Sequence, residues 1–72
     1  MSNIHSHEYK IMLKKLVDAR NGVGMSQARV AEKLSKPQSY VSKCESGERR
    51  IDVIELKKFA QLYNKTLDYF TE

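Results

Sequence analysis

The sequence predicts an all-α fold, five short helices packed as one small bundle. Apolar residues recur at helical spacing along most of the chain, and Ser, Thr and Asp stand where those stretches begin. The composition agrees, at 40% hydrophobic and 31% charged with only three Gly and one Pro, which is that of a globular helical chain rather than a disordered or fibrous one. Seventy-two residues amount to a single domain, and a chain this short buries about 60% of the surface its unfolded form exposes, so its stability is marginal. That size argues against most enzymes.

Residues 1 to 7 carry Ser2, Asn3, His5, Ser6 and His7 without periodicity and read as a flexible arm, leaving residues 8 to 72 as the domain. Tyr9, Met12, Leu13, Leu16 and Val17 form one stripe, the first helix, with Lys10, Lys14, Lys15 and Asp18 turned away. Asn21-Gly22-Val23-Gly24 ends it. Ser26 caps a second helix from about Gln27 to Leu34, with Met25 placed to staple onto Val30 and with Val30, Ala31 and Leu34 inward. Ser35-Lys36-Pro37 interrupts the pattern, because proline disfavours helical geometry in the residue before it yet suits a first turn. A third helix thus starts near Pro37 or Gln38 and closes at Ser46-Gly47.

Asp52 and Glu55 have capping-box spacing at the head of a fourth helix, and Ile51 can staple onto Leu56. Its expected buried side is Val53, Leu56, Phe59, Ala60, Leu62 and Tyr63, and Asn64 is its left-handed stop. Thr66 caps a short fifth helix, Leu67 to about Thr71.

The net charge is +4, but it is unevenly spread: residues 10 to 50 hold ten basic and four acidic side chains, and residues 51 to 72 hold three and four. A basic field with a near-neutral tail points to a polyanionic partner, foremost nucleic acid. No apolar run approaches the roughly 18 residues of a membrane span, and the first ten residues lack a signal-peptide layout, so a cytoplasmic location is expected. The single cysteine, Cys44, excludes an internal disulfide and fits a reducing compartment.

His5 and His7 have H-x-H spacing, but nothing completes a zinc site around them, so neither metal nor cofactor is expected. Cys44 lies on an inward face, away from both histidines, and Gly22 and Gly24 make a turn rather than a phosphate loop. The chain is not expected to be an enzyme.

The informative stretch runs from Gln27 to Gly47, two short helices joined by a few residues, a helix-turn-helix over about residues 27 to 46. On its second helix Val41 and Cys44 point inward, while Gln38, Ser39, Ser42 and Lys43 face out with side chains suited to base edges. Tyr40 lies at the border, open to a DNA contact or to packing. Lys36, Arg49 and Arg50 flank this face as candidate phosphate contacts.

Arg20, the run from Gly24 to Leu34 and the run from Val41 to Arg49 resemble the Cro/CI-type (XRE) helix-turn-helix domain of phage repressors and many bacterial regulators, over about residues 9 to 70. The resemblance implies a lambda-repressor-like five-helix bundle that binds double-stranded DNA in a sequence-specific way, normally as a homodimer. By position it assigns Gln27 to a phosphate, Gln38, Ser39, Tyr40, Ser42 and Lys43 to bases, and Arg49 to the backbone. Ala31 takes the small-residue position where the two motif helices meet, and Arg20 and Glu45 match a pair that forms a salt bridge in some relatives. Two residues depart from the pattern: Ser35 stands where glycine is usual in the turn, and Cys44 where Leu or Ile is common.

Tyr63, Leu67, Tyr69 and Phe70 make an apolar end, read as a homodimer interface. The alternative reading is a protein-interaction module or antitoxin that binds a toxin with the same fold. A polar and basic recognition face favours DNA, because a docking face for protein needs aromatic or aliphatic anchors. Without a separate effector domain in 72 residues, regulation is expected to come from concentration, dimerisation or a partner.

Overall fold

A computed structural model describes residues 6–72, and it is all-helical across them. The five helices are α1 (His7–Gly22), α2 (Gln27–Leu34), α3 (Gln38–Ser46), α4 (Val53–Tyr63) and α5 (Leu67–Thr71). Of the arm expected over residues 1 to 7, the last two residues are corrected: His7 already belongs to α1 and Ser6 is its cap, accepting from the Tyr9 N–H at 3.1 Å, while the rest lies outside the described residues. A polar run without apolar period hid this start. His5, half of the H-x-H pair, lies outside the described residues.

Local side-chain chemistry accounts for the starts of α1, α2, α4 and α5, whereas α3 begins after Pro37 without a side-chain cap. Ser26 accepts from the Arg29 N–H at 3.0 Å, and Thr66 from the Tyr69 N–H at 3.3 Å. Asp52 and Glu55 close a reciprocal capping box, each side chain accepting from the other's backbone N–H.

The ends of α2 and α4 follow one pattern. After α2 the Lys36 N–H reaches back to the Ala31 carbonyl at 2.9 Å, and after α4 the Lys65 N–H reaches Ala60 at 2.9 Å. Both closures need a left-handed residue, which is Ser35 (φ 56°) in one and Asn64 (φ 58°) in the other. Ser35 therefore adopts the conformation that glycine usually fills, and it bears the steric cost. Gly47 closes α3 at φ 87°, a left-handed conformation that favours glycine, and a Cβ there would press on Leu13 Cδ1 at 3.1 Å.

The core gathers Leu13, Leu16, Val30, Val41, Cys44, Leu56, Phe59, Tyr63 and Phe70 between all five helices. Phe59 and Tyr63 lie 6.1 Å apart at its centre. Two loose ends are tied across the bundle: the Ile51 N–H donates to Tyr9 Oη at 3.0 Å, and Lys15 Nζ donates to the Tyr69 carbonyl at 3.0 Å.

Three expectations about burial need correction. Val53, expected inside, is 62% exposed, whereas Ile51, two residues earlier and just before the helix, is buried in the core. Tyr63 and Phe70, read as interface residues, are each 1% exposed and spent in the chain's own core. Leu67 and Tyr69 are half-buried, so of the predicted interface only they reach the surface.

Candidate nucleic-acid interface

The two motif helices are held together from beneath. Ala31 is buried where α2 packs on α3, and its small side chain permits the close crossing. Beside it, Arg20 Nε donates to Glu45 Oε2 at 2.7 Å and Nη2 to Oε1 at 3.1 Å. Arg20 Nη1 also donates to the Met25 carbonyl at 2.9 Å, at the entrance to α2. This network ties α1, the start of α2 and the end of α3 into one unit. The hydrogen bonds to Glu45, outweighing burial, raise the Arg20 guanidinium above its ordinary pKa.

Gln27 joins the same network, its Nε2 donating to Glu45 Oε1 at 2.9 Å. The side chain expected to hold a phosphate is thus already oriented by a buried carboxylate.

On α3, Val41, Cys44 and Glu45 are buried, which leaves Gln38, Ser39, Ser42 and Lys43 exposed together on the opposite face. Burial of Cys44 pushes its thiol pKa up and keeps it protonated at neutral pH. Tyr40 resolves towards packing: it is half-buried, with its ring parallel to that of Phe59 at 6.3 Å, and its hydroxyl donates to Glu55 Oε2 at 3.0 Å. Burial, and then this hydrogen bond, push the phenol pKa well up.

The basic residues around this face differ in their freedom. Lys36 is exposed, with its Nζ 5.2 Å from the Tyr40 ring centroid, and Arg50 is exposed. Arg49 is committed: Nη1 donates to Glu55 Oε1 at 3.0 Å, Nη2 pairs with Oε2 at 2.9 Å, and Cζ lies 4.8 Å from the Tyr40 ring centroid.

Sequence reasoning missed Glu55 as a member of this site. Its capping-box role was legible, but its bond to Arg49 crosses an irregular loop that no periodicity describes.

The family model described as helix-turn-helix matches residues 16–70. A solved XRE-family like protein from Pseudomonas syringae pv. tomato str. DC3000 matches with a TM-score of 0.84 and 39% identity, over 93% of this chain and 82% of that one. The chain belongs to the XRE family of helix-turn-helix proteins. No curated protein matches it.

For an XRE-family domain the general role is that of a DNA-binding regulator. The polar face of α3 in this XRE domain is exposed, with Lys36 before the helix and Arg50 beyond its end also exposed. No helix among the described residues is long and apolar enough to cross a membrane.

Proposed function

We propose that the chain is a sequence-specific transcriptional regulator, a repressor in its output, that binds a pseudopalindromic operator as a homodimer with α3 in the major groove. One observation carries this reading: α3 buries Val41, Cys44 and Glu45 and presents Gln38, Ser39, Ser42 and Lys43 together. Gln pairs bidentately with adenine, Lys reaches guanine acceptors, and Ser donates or accepts, so the set fits base edges. Gln27, Lys36 and Arg50 position the helix through phosphates. Tyr40, held by Phe59 and Glu55, leaves the base-reading set.

The two-fold axis of the dimer is matched by half-sites about 34 Å apart. Leu67 and Tyr69 are the residues of the apolar end available to a partner subunit. A second reading, docking of a protein such as a toxin, draws support from Val53 and Ile54, neighbouring aliphatic residues 62% and 60% exposed.

The test is selection from a randomised duplex library at two salt concentrations, with the retained sequences read out. An enriched pseudopalindrome whose affinity falls steeply with salt supports the reading. Unselective retention overturns it in favour of a protein partner. On the selected site, Gln38→Ala should cost about 1 to 3 kcal/mol and relax the preference, while Arg50→Ala should weaken all duplexes alike and flatten the salt slope by about one.

A further inference from the structure

Arg49 lies two residues past Gly47, the stop of α3, and although its side chain is 42% exposed its fork is paired with a carboxylate. Glu55 receives both of its terminal nitrogens, at 3.0 and 2.9 Å, and the same carboxylate accepts from the Tyr40 hydroxyl at 3.0 Å and the Asp52 N–H at 3.0 Å. The Arg49 guanidinium also lies 4.8 Å from the Tyr40 ring centroid. Three residues from three places, the border of α3, the loop after it and the first turn of α4, are thereby locked into one unit.

The electrostatics of this unit bear on DNA. A phosphate delivered to the paired edge of the Arg49 fork meets the Glu55 carboxylate on the same nitrogens, and two anions on one face of a guanidinium repel. To serve a phosphate on that edge, Arg49 must give up a two-pronged ion pair and its contact with an aromatic ring. Among the described residues, neither Lys36 nor Arg50 is ion-paired with a carboxylate.

We infer that Glu55 is a positioning residue of the DNA-binding surface: it withholds the charge of Arg49 from the phosphate backbone and uses Arg49 and Tyr40 as struts that fix α3 against the start of α4. This rests on the DNA-binding reading above and refines it. The salt dependence of binding is then carried by the other cations, and Arg49 contributes orientation instead. The position of Tyr40, held against Phe59, is part of the same device, which keeps the ring off the bases.

The experiment compares the wild-type chain with E55Q, R49Q and the double variant on the selected duplex and on random duplex, across a salt series. Thermal unfolding by circular dichroism confirms that each is folded. E55Q keeps the shape of the side chain but frees Arg49 as a cation, so the salt slope should steepen by about one unit, roughly a three- to fourfold larger loss of affinity between about 50 and about 200 mM salt. R49Q should leave the slope at its wild-type value, and the double variant should return to it. Release of Tyr40 and α3 in E55Q should also broaden the selected sequence, which charge alone does not do.

An R49Q slope flatter by about one unit, or an E55Q slope equal to wild type, overturns the inference. If E55Q does not fold, the R49Q slope decides it alone. A wild-type chain that retains no duplex overturns the DNA-binding reading and this inference with it, whereas a selective wild type with the wrong variant slopes overturns only the inference.

Discussion

Arg20 and Glu45, 25 positions apart, meet through two hydrogen bonds of 2.7 and 3.1 Å, with side chains only 12% and 5% exposed. The pair joins α1 to α3, and Gln27 adds the start of α2 to the same carboxylate. Removing one partner strands a buried charge. Arg20→Ala or Glu45→Ala should therefore destabilise the fold by about 3 to 5 kcal/mol, whereas replacing both with apolar residues of similar volume should cost far less. Urea unfolding of the two single variants and the double variant measures this. Equal losses in all three would mean that packing, not the stranded charge, dominates.

Ser35 holds a left-handed conformation at φ 56° to close α2. Left-handed geometry costs an L-residue about 1 to 2 kcal/mol, and glycine escapes it at some loss of unfolded-state entropy. Ser35→Gly should thus stabilise the chain by about 0.5 to 1 kcal/mol, and Ser35→Val should destabilise it. For a domain of this size each kcal/mol moves the melting temperature by about 4 to 8 °C, which a thermal scan resolves. A melting temperature lowered by glycine would show that the turn bears no strain.

Burial works against ionisation of Glu55, but the hydrogen bonds from Arg49, the Asp52 backbone and Tyr40 outweigh it and hold the carboxyl below its ordinary 4.5. The unfolded chain then binds this proton more tightly than the folded one, so stability rises with pH across that window. The contribution is complete above the ordinary value and is lost as pH falls through the lower folded value. E55Q should flatten the acid limb of the stability profile, followed as denaturant midpoints from about pH 6 down to about pH 3. An unchanged acid limb would mean that other carboxylates govern it.

Cys44 is fully buried, and burial raises its pKa, so no reactive thiolate is presented at neutral pH. A thiol reagent should label the chain only at the rate at which it opens, with denaturant restoring full reactivity. Rapid labelling of the native protein would reverse the assignment of Cys44 to the core.

Most of the fold was legible because helix ends are decided by near neighbours. Ser26, Asp52 and Thr66 satisfy orphan N–H groups three residues ahead, and Gly47 and Asn64 supply left-handed stops, all within reach of one turn of chain. The inward set of α3 was legible for the same reason, since Val41 and Cys44 lie three apart on one helix. The exposed face of α3 was legible in the same way, in Gln38, Ser39, Ser42 and Lys43.

The sequence by itself determined the five helices, the caps of α2, α4 and α5 and the two faces of α3, because these follow from chemistry local to the chain. Only the tertiary structure decided which apolar residues remain for a partner. Tyr63 and Phe70 look like a sticky end in the sequence, but the packing of α5 on α1 and α4 draws them into the core, while Ile51 is buried and Val53 is left at the surface. It also decided the fate of Tyr40, Arg49 and Glu55, whose union depends on how the loop after α3 brings α4 alongside. Helical period fixes which side chains share a face, but helix crossing fixes which faces meet, and that is a property of the packed bundle.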